Sequence, residues 1–244
     1  MKESQDAYGR IVLDHLNGAV TWEIVERDDG WMGLSGGAPS YFAPFRLWPA
    51  RQRKALRFVR GRVLDVGCGA GRWSLHLQKR GREVTAIDAS PLAVEVSRRR
   101  GVRDARVVPI GRVSEAMGRF DTIVMMGNNF GLFGGWDEGR RLLRRFNAMT
   151  RPGARIVAET NDPFQTANPD HKAYHERNRR RGRMGGQLLL RIRYRAYATP
   201  LFDYLMVSTD EMRAMLDGTG WALDRVIEDG GSAYVAVIAR RPES

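Results

Sequence analysis

Asp65, Gly67, Gly69 and Gly71 repeat at every second position, and Asp88 follows 23 residues after Asp65. Glycine has no Cβ and adopts positive φ freely, so such a run lets backbone approach a ligand closely. A carboxylate one strand further on can accept hydrogen bonds from both hydroxyls of a ribose. Nothing basic stands beside Asp88 to take a 2′-phosphate. A triphosphate-binding loop would need a closing Gly-Lys-Ser/Thr, which is absent. A dinucleotide loop needs glycine at the sixth position, where this chain has Arg72. Further along, Asp162, His171, Tyr174 and His175 bring acid–base chemistry, beside arginines at 177, 179, 180, 181, 183, 191, 193 and 195. The last three alternate along a strand and so share one face, a solvated sheet face or a cationic wall for an anion.

The elements that must hold these residues alternate. Residues 63–66 predict a strand, 72–80 a helix stopped by Gly81, and 83–87 a second strand. Ser90 and Pro91 cap and open a helix over 91–100. Strands follow over 105–109, 120–126 and 154–160, with a helix over 137–149 stopped at 151–153. That alternation means a parallel sheet with right-handed crossovers. Residues 1–60 break the pattern. They predict a helix over 7–16, a hairpin across 28–30, a loop over 35–40 and a helix from Pro49 to Arg60. Two more strands are expected over 187–197 and 201–207. Ser208 and Glu211 form a capping box for a helix over 209–218, and a hairpin closes the chain over 221–240.

The chain of 244 residues carries a net charge of +12 and only four lysines. Basic balance of this kind suits an anionic metabolite or a nucleic acid. The charge is dispersed, which favours the metabolite. No apolar run reaches the roughly 20 residues of a membrane span. One cysteine excludes an internal disulfide, and with a polar start the expected compartment is the cytoplasm.

The loop over 63–72, the Ile87-Asp88-Ala89-Ser90-Pro91 stretch, the Pro152-Gly153 turn and the closing hairpin together resemble class I S-adenosylmethionine-dependent methyltransferases. The resemblance implies an α/β, Rossmann-like, doubly wound seven-stranded sheet, mostly parallel with an antiparallel last strand. It implies one domain over 1–244, in four parts. These are a lid (1–60), a cofactor half (61–160), a substrate-side insertion after strand five (161–207), and a closing helix and hairpin (208–244). S-adenosyl-L-methionine is the implied cofactor. Asp65, Gly67, Cys68, Gly69 and Gly71 would pass under it, and Asp88 and Ala89 would hold its ribose. Ile110, Gly111 and Arg112 would flank its adenine, and Gly127 and Asn128 would face cofactor and acceptor.

Tyr41, Phe42 and Phe130 offer aromatic faces to a sulfonium. Asp162, Tyr174 and His175 are the candidates to orient or deprotonate the acceptor. No metal is expected, because a hard cation wants several charged oxygens and the chain offers neutral Asn128 and Asn129 after strand four. The expected reaction is methyl transfer to a small, possibly anionic molecule. RNA methylation through the arginine-rich insertion, or cofactor binding without catalysis, are the alternatives. Nothing in the sequence sets the oligomeric state.

Overall fold

The computed structural model describes residues 2–242. Asp6 caps helix α1 (Ala7–Leu16) by accepting from the Gly9 N–H at 3.0 Å. A Cβ on Gly9 would lie 2.2 Å from Ser90 Oγ, so glycine at this helical position is set by close packing. Strands β1 (Ile24–Arg27) and β2 (Met32–Leu34) then form the expected hairpin. Helix α2 (Gly37–Phe42) follows where the sequence predicts loop, begun by Gly37 at φ +55°. Helix α3 (Ala50–Ala55) is shorter than expected and passes into a 3-10 turn at Leu56–Phe58.

The alternating part comes next: β3 (Val63–Val66), α4 (Arg72–Lys79), β4 (Val84–Asp88), α5 (Pro91–Arg99), β5 (Ala105–Val107), β6 (Phe120–Met125), α6 (Trp136–Ala148) and β7 (Thr150–Asn161). Strand β7 starts four residues early and runs through Pro152 and Gly153. Between Phe120↔Thr150 and Thr122↔Arg155, β6 advances two residues and β7 five. The turn-forming residues therefore bulge out of the strand rather than end it.

Helix α7 (Pro169–Arg180) arises from the polar stretch after β7, capped by Asn168 with Pro169 in the first turn. The rest is β8 (Gln187–Tyr194), β9 (Tyr197–Ala198), β10 (Phe202–Leu205), α8 (Thr209–Leu216), β11 (Trp221–Glu228) and β12 (Ala233–Arg240).

Seven strands form one sheet in the order β11-β12-β7-β6-β3-β4-β5. Pairs β4/β5 and β6/β7 are parallel, and β12 runs antiparallel to both β7 and β11. This is the expected mixed sheet with its last strand reversed. A second sheet has the order β10-β8-β1-β2. In it β1 pairs antiparallel with β8, Ile24 opposite Arg193 and Arg27 opposite Leu190. The sequence predicts both the hairpin and the later strand, but not their pairing.

The chain divides into two compact units. One comprises the N-terminal segment to Trp48, Leu64–Arg112 and Leu189–Phe202. Its core includes Val12, Ala70, Ala93 and Val96, with Tyr8 and Tyr41 packed against them. The other comprises Pro49–Val63, Val113–Leu188 and the chain from Asp203 onward. Trp221, Phe120, Phe133 and Phe146 are fully buried there. Among the described residues, no helix is long and apolar enough to cross a membrane.

Candidate functional site

In the first unit, β3 delivers the glycine loop beside the end of β4. The N–H groups of Gly67 and Cys68 both donate to the Ile87 carbonyl, at 2.9 and 3.0 Å. Gly67, Gly69 and Gly71 have φ of +72°, +54° and +75°. These are left-handed positions that cost another residue roughly 1–2 kcal/mol each. The loop is tied from behind. Ser97 Oγ donates to the Gly69 carbonyl at 2.7 Å, and Arg100 donates to that of Ala70.

Asp65 lies beneath the loop, 2% exposed, and accepts from Ser74 Oγ at 2.6 Å. Burial, opposed by the Ser74 bond, moves its carboxyl up to about 6. A raised folded-state value favours the protonated folded form. The stability it contributes is complete below the unfolded value near 3.8 and is lost as pH rises through about 6. That amounts to roughly 3 kcal/mol at most, at 1.36 kcal/mol per unit. Asp65→Asn should keep the Ser74 contact and flatten the stability profile between about pH 4 and 6. An unchanged slope in urea titrations across that range would count against this account.

Asp88 faces the loop. One oxygen accepts from the Gly69 N–H at 2.9 Å and the other from the Ser90 N–H at 2.9 Å. Burial raises its carboxyl, and those backbone donors oppose the rise. An ionised carboxylate has about four acceptor sites, so these two bonds leave capacity for a ligand's hydroxyls. Ala89, next to it, is exposed. After β5, Ile110–Arg112 form a 3-10 turn, and a Cβ on Gly111 would meet nothing within 4 Å. Cys68 is buried with its thiol 3.7 Å from Ser97 Oγ, and burial pushes the thiol well above its ordinary value. It packs the loop from behind, beside Ser97.

Tyr8 and Glu23 belong to this site, and the sequence analysis missed both. A Cβ on Gly69 would lie 2.3 Å from Tyr8 Oη, so the phenol sits directly on the loop. The Tyr8 ring meets the edge of Tyr41 at 5.3 Å, and Tyr41 Oη donates to the Glu23 carboxylate. The glycine after Tyr8, inside a helical pattern, was the available signal of close backbone approach. Phe42 has the Arg100 guanidinium 4.4 Å over its ring. Gly69→Ala combines a left-handed φ with the Tyr8 clash. It should abolish binding of a ligand at the loop, and adding Tyr8→Phe should restore part of it. If calorimetry found Gly69→Ala unaffected, ligand contact at this face would be ruled out.

The second unit carries the turn after β6. Gly127 and Asn128 have φ of +72° and +70°. The Gly127 N–H donates to Glu159 at 2.8 Å, and Tyr204 Oη donates to the Asn128 carbonyl at 2.6 Å. Asn128 Oδ1 is buried, with no hydrogen-bond partner among the described residues. Phe130, an expected aromatic face, is fully buried against Phe133 at 4.8 Å and belongs to the core.

The acceptor-side candidates also lie in the second unit. Asp162 caps the turn after β7 by accepting from the Phe164 N–H at 2.9 Å. Tyr174 and His175 are on α7, 3% and 5% exposed, Tyr174 beneath Arg177 and His175 against Phe164. The arginine row departs from expectation. Arg191 and Arg193 both bond Glu26 on β1, whose carboxyl falls to about 2 through those hydrogen bonds. Arg195 lies beyond the end of β8 at φ +51° and pairs with Asp14 at 3.2 Å. These three arginines do not share one strand face, because the chain turns at Arg195. Among the described residues, no three His, Cys, Asp or Glu side chains gather to hold a metal ion.

A reversed last strand, a glycine loop after β3 and an acid ending β4 define a Rossmann-like methyltransferase fold. Residues 63–153 match the family model described as a methyltransferase domain. A solved S-adenosylmethionine-dependent methyltransferase from Bacteroides fragilis, in complex with S-adenosyl-L-homocysteine, superposes with a TM-score of 0.83 at 26% identity, covering 99% of this chain and 98% of that one. Residues 63–153 are thus a methyltransferase domain, on a fold similar to that of S-adenosylmethionine-dependent methyltransferases.

Among curated proteins it resembles the ubiquinone biosynthesis O-methyltransferase of Methylocella silvestris, 39% identical over 45% of this chain and 44% of that one. It also resembles the cypemycin N-terminal methyltransferase of a Streptomyces species, 33% identical over 46% and 47%. The matched stretch thus spans less than half the length of either relative.

Proposed function

We propose that this protein transfers a methyl group from S-adenosyl-L-methionine to a small-molecule acceptor without a metal. The observation that carries the reading is Asp88, bonded to the Gly69 and Ser90 N–H groups with acceptor capacity to spare, beside a loop of three left-handed glycines. The fit to the cofactor is favourable on two counts within the first unit: this open carboxylate and the absence of a side chain at Gly111. Gly67, Cys68, Gly69 and Gly71 would hold its methionine portion, and Asp88 and Ala89 its ribose. Asp65 would act from beneath by fixing the loop. Ile110, Gly111 and Arg112 would flank the adenine.

Bound there, the cofactor supplies a sulfonium-activated methyl group. The chain's task is then to align acceptor and methyl and to exclude water, which can contribute about 7–11 kcal/mol when the geometry is good. Tyr41 contributes an aromatic ring beside Tyr8, whose hydroxyl sits on the loop. Asp162, Tyr174 and His175 are our acceptor-side candidates. We place the reaction in the cytoplasm. One relative is named for O-methylation and another for N-terminal methylation, so the acceptor atom must come from experiment.

The test is a calorimetric titration with S-adenosyl-L-homocysteine, followed by a labelled-methyl screen against a metabolite extract. Saturable one-to-one binding and label in a small molecule are expected. Absence of binding would overturn the reading.

A further inference from the structure

Glu23 stands just before β1 and is 4% exposed. Its carboxylate accepts from Ser35 Oγ at 2.8 Å, and from Tyr41 Oη at 3.1 and 3.3 Å to its two oxygens. Burial and those two hydroxyls set its charge state, and among the described residues no cation acts on it. Ionising a buried carboxylate without a cation costs several kcal/mol, and hydroxyl donors recover only part of that. Burial accordingly pushes the Glu23 carboxyl up. A carboxylate poised in this way is a proton acceptor rather than a structural ion pair.

The two hydroxyls have different surroundings. Ser35 Oγ also accepts from the Gly37 N–H at 3.0 Å and so fixes the start of α2. Tyr41, from α2, packs on Tyr8 from α1, whose hydroxyl sits on Gly69 of the loop. The charges of Glu23, Asp88, Tyr41 and Cys68 all bear on Tyr8. One side of Glu23 therefore leads through two phenols to the glycine loop, entirely within the first unit.

We propose that Tyr41 and Glu23 form a proton relay for the methyl acceptor, with Glu23 as its terminal base. The inference rests on the methyl-transfer reading above. The acceptor's O–H or N–H bond breaks, and its proton passes to Tyr41 Oη as the Tyr41 proton passes to Glu23. The freed electron pair forms the bond to the methyl carbon. The carbon–sulfur bond breaks with its pair retained on sulfur, leaving a neutral thioether. Glu23 returns its proton to water when product leaves. The substrate class narrows to acceptors with a proton to lose: a phenol, an alcohol or a protonated amine. Tyr41 is the group that touches the acceptor, and Glu23 acts through it.

The test has a binding arm, a titration arm and a kinetic arm. Calorimetry with S-adenosyl-L-homocysteine should give affinities within about threefold for the wild type, Glu23→Gln and Tyr41→Phe. Failure of the wild type to bind would bring down the methyl-transfer reading and the relay with it. Infrared difference titration should show a carboxyl band titrating above the ordinary glutamate range. That band should be absent in Glu23→Gln and moved to still higher pH in Ser35→Ala, which removes a donor to the carboxylate.

With labelled cofactor and a panel of phenols and primary amines, kcat should fall as pH drops through that same value. Glu23→Gln and Tyr41→Phe should each lower kcat about 100-fold, the lower end expected for a general base. The double variant should be no worse than either, because the two act as one unit. A Glu23 band in the ordinary range, or Glu23→Gln within fivefold of wild type with its acid limb intact, would overturn the relay while leaving cofactor binding standing.

Discussion

Asp88→Ala is expected to weaken binding of S-adenosyl-L-homocysteine about 100-fold. Two hydrogen bonds from ribose hydroxyls to a charged acceptor are worth about 1.5–3 kcal/mol each, so a loss of about 3 kcal/mol is the lower bound, and 1.4 kcal/mol is a decade. Asp88 has a second task, since it also accepts from the Gly69 and Ser90 N–H groups. Alanine leaves both donors without their partner and frees the loop. Asp88→Asn separates the tasks, because an amide oxygen can retain one backbone donor. It should bind more weakly than wild type and more tightly than Asp88→Ala. Calorimetric affinities for the three proteins decide this, and an Asp88→Ala protein within fivefold of wild type would remove Asp88 from the ligand site.

The largest expected loss of stability belongs to Glu159, in the second unit. It is 2% exposed and takes three partners: Arg51 Nε at 2.7 Å, Gln52 Nε2 at 2.7 Å and the Gly127 N–H at 2.8 Å. Arg51 reaches on to Asp229 at 2.8 Å. Removing the carboxylate takes the acceptor from the Gln52 and Gly127 donors, which costs about 3 kcal/mol in all, while Arg51 keeps Asp229. Glu159→Ala should therefore lower unfolding free energy in urea by about that much, and Glu159→Gln by less. The Gly127 amide should exchange faster with deuterium in both. A loss under about 1 kcal/mol would show that water replaces the carboxylate at no great cost.

Legibility followed the range of the interaction. The strand–loop–helix at 63–79 was readable because glycine spacing, strand length and helix stop are written in adjacent residues. Ser90-Pro91 and Ser208–Glu211 were readable as caps for the same reason, and the 221–240 hairpin from its turn. Helix α2 was not, because Gly36, Gly37 and Pro39 read locally as loop, and the helix packs Ala38 into the core beside Ala7 and Ile11. The β7 bulge was hidden because Pro152-Gly153 looks like an end when its partner strand is unknown. Tyr8 and Glu23 escaped notice for a different reason. Neither has a chemical neighbour in sequence, and each acquires one only when α1, β1 and α2 gather around the loop. The arginines at 191 and 193 read as a solvated face or a cationic wall because Glu26, their common partner, lies far from them in sequence.

That distance has a consequence for how the protein is made. Arg191 and Glu26 are 165 residues apart, and β1 has no partner on its β8 side until residues 190–193 exist. At about 5–20 residues per second, the first hairpin leaves the ribosome roughly 8–30 s before the strand that completes its sheet. During that interval its open side presents unpaired N–H and C=O groups. The nascent chain is thus long at risk of mispairing at this hairpin. A chaperone that engages early and releases late would protect this protein more than one that acts after synthesis.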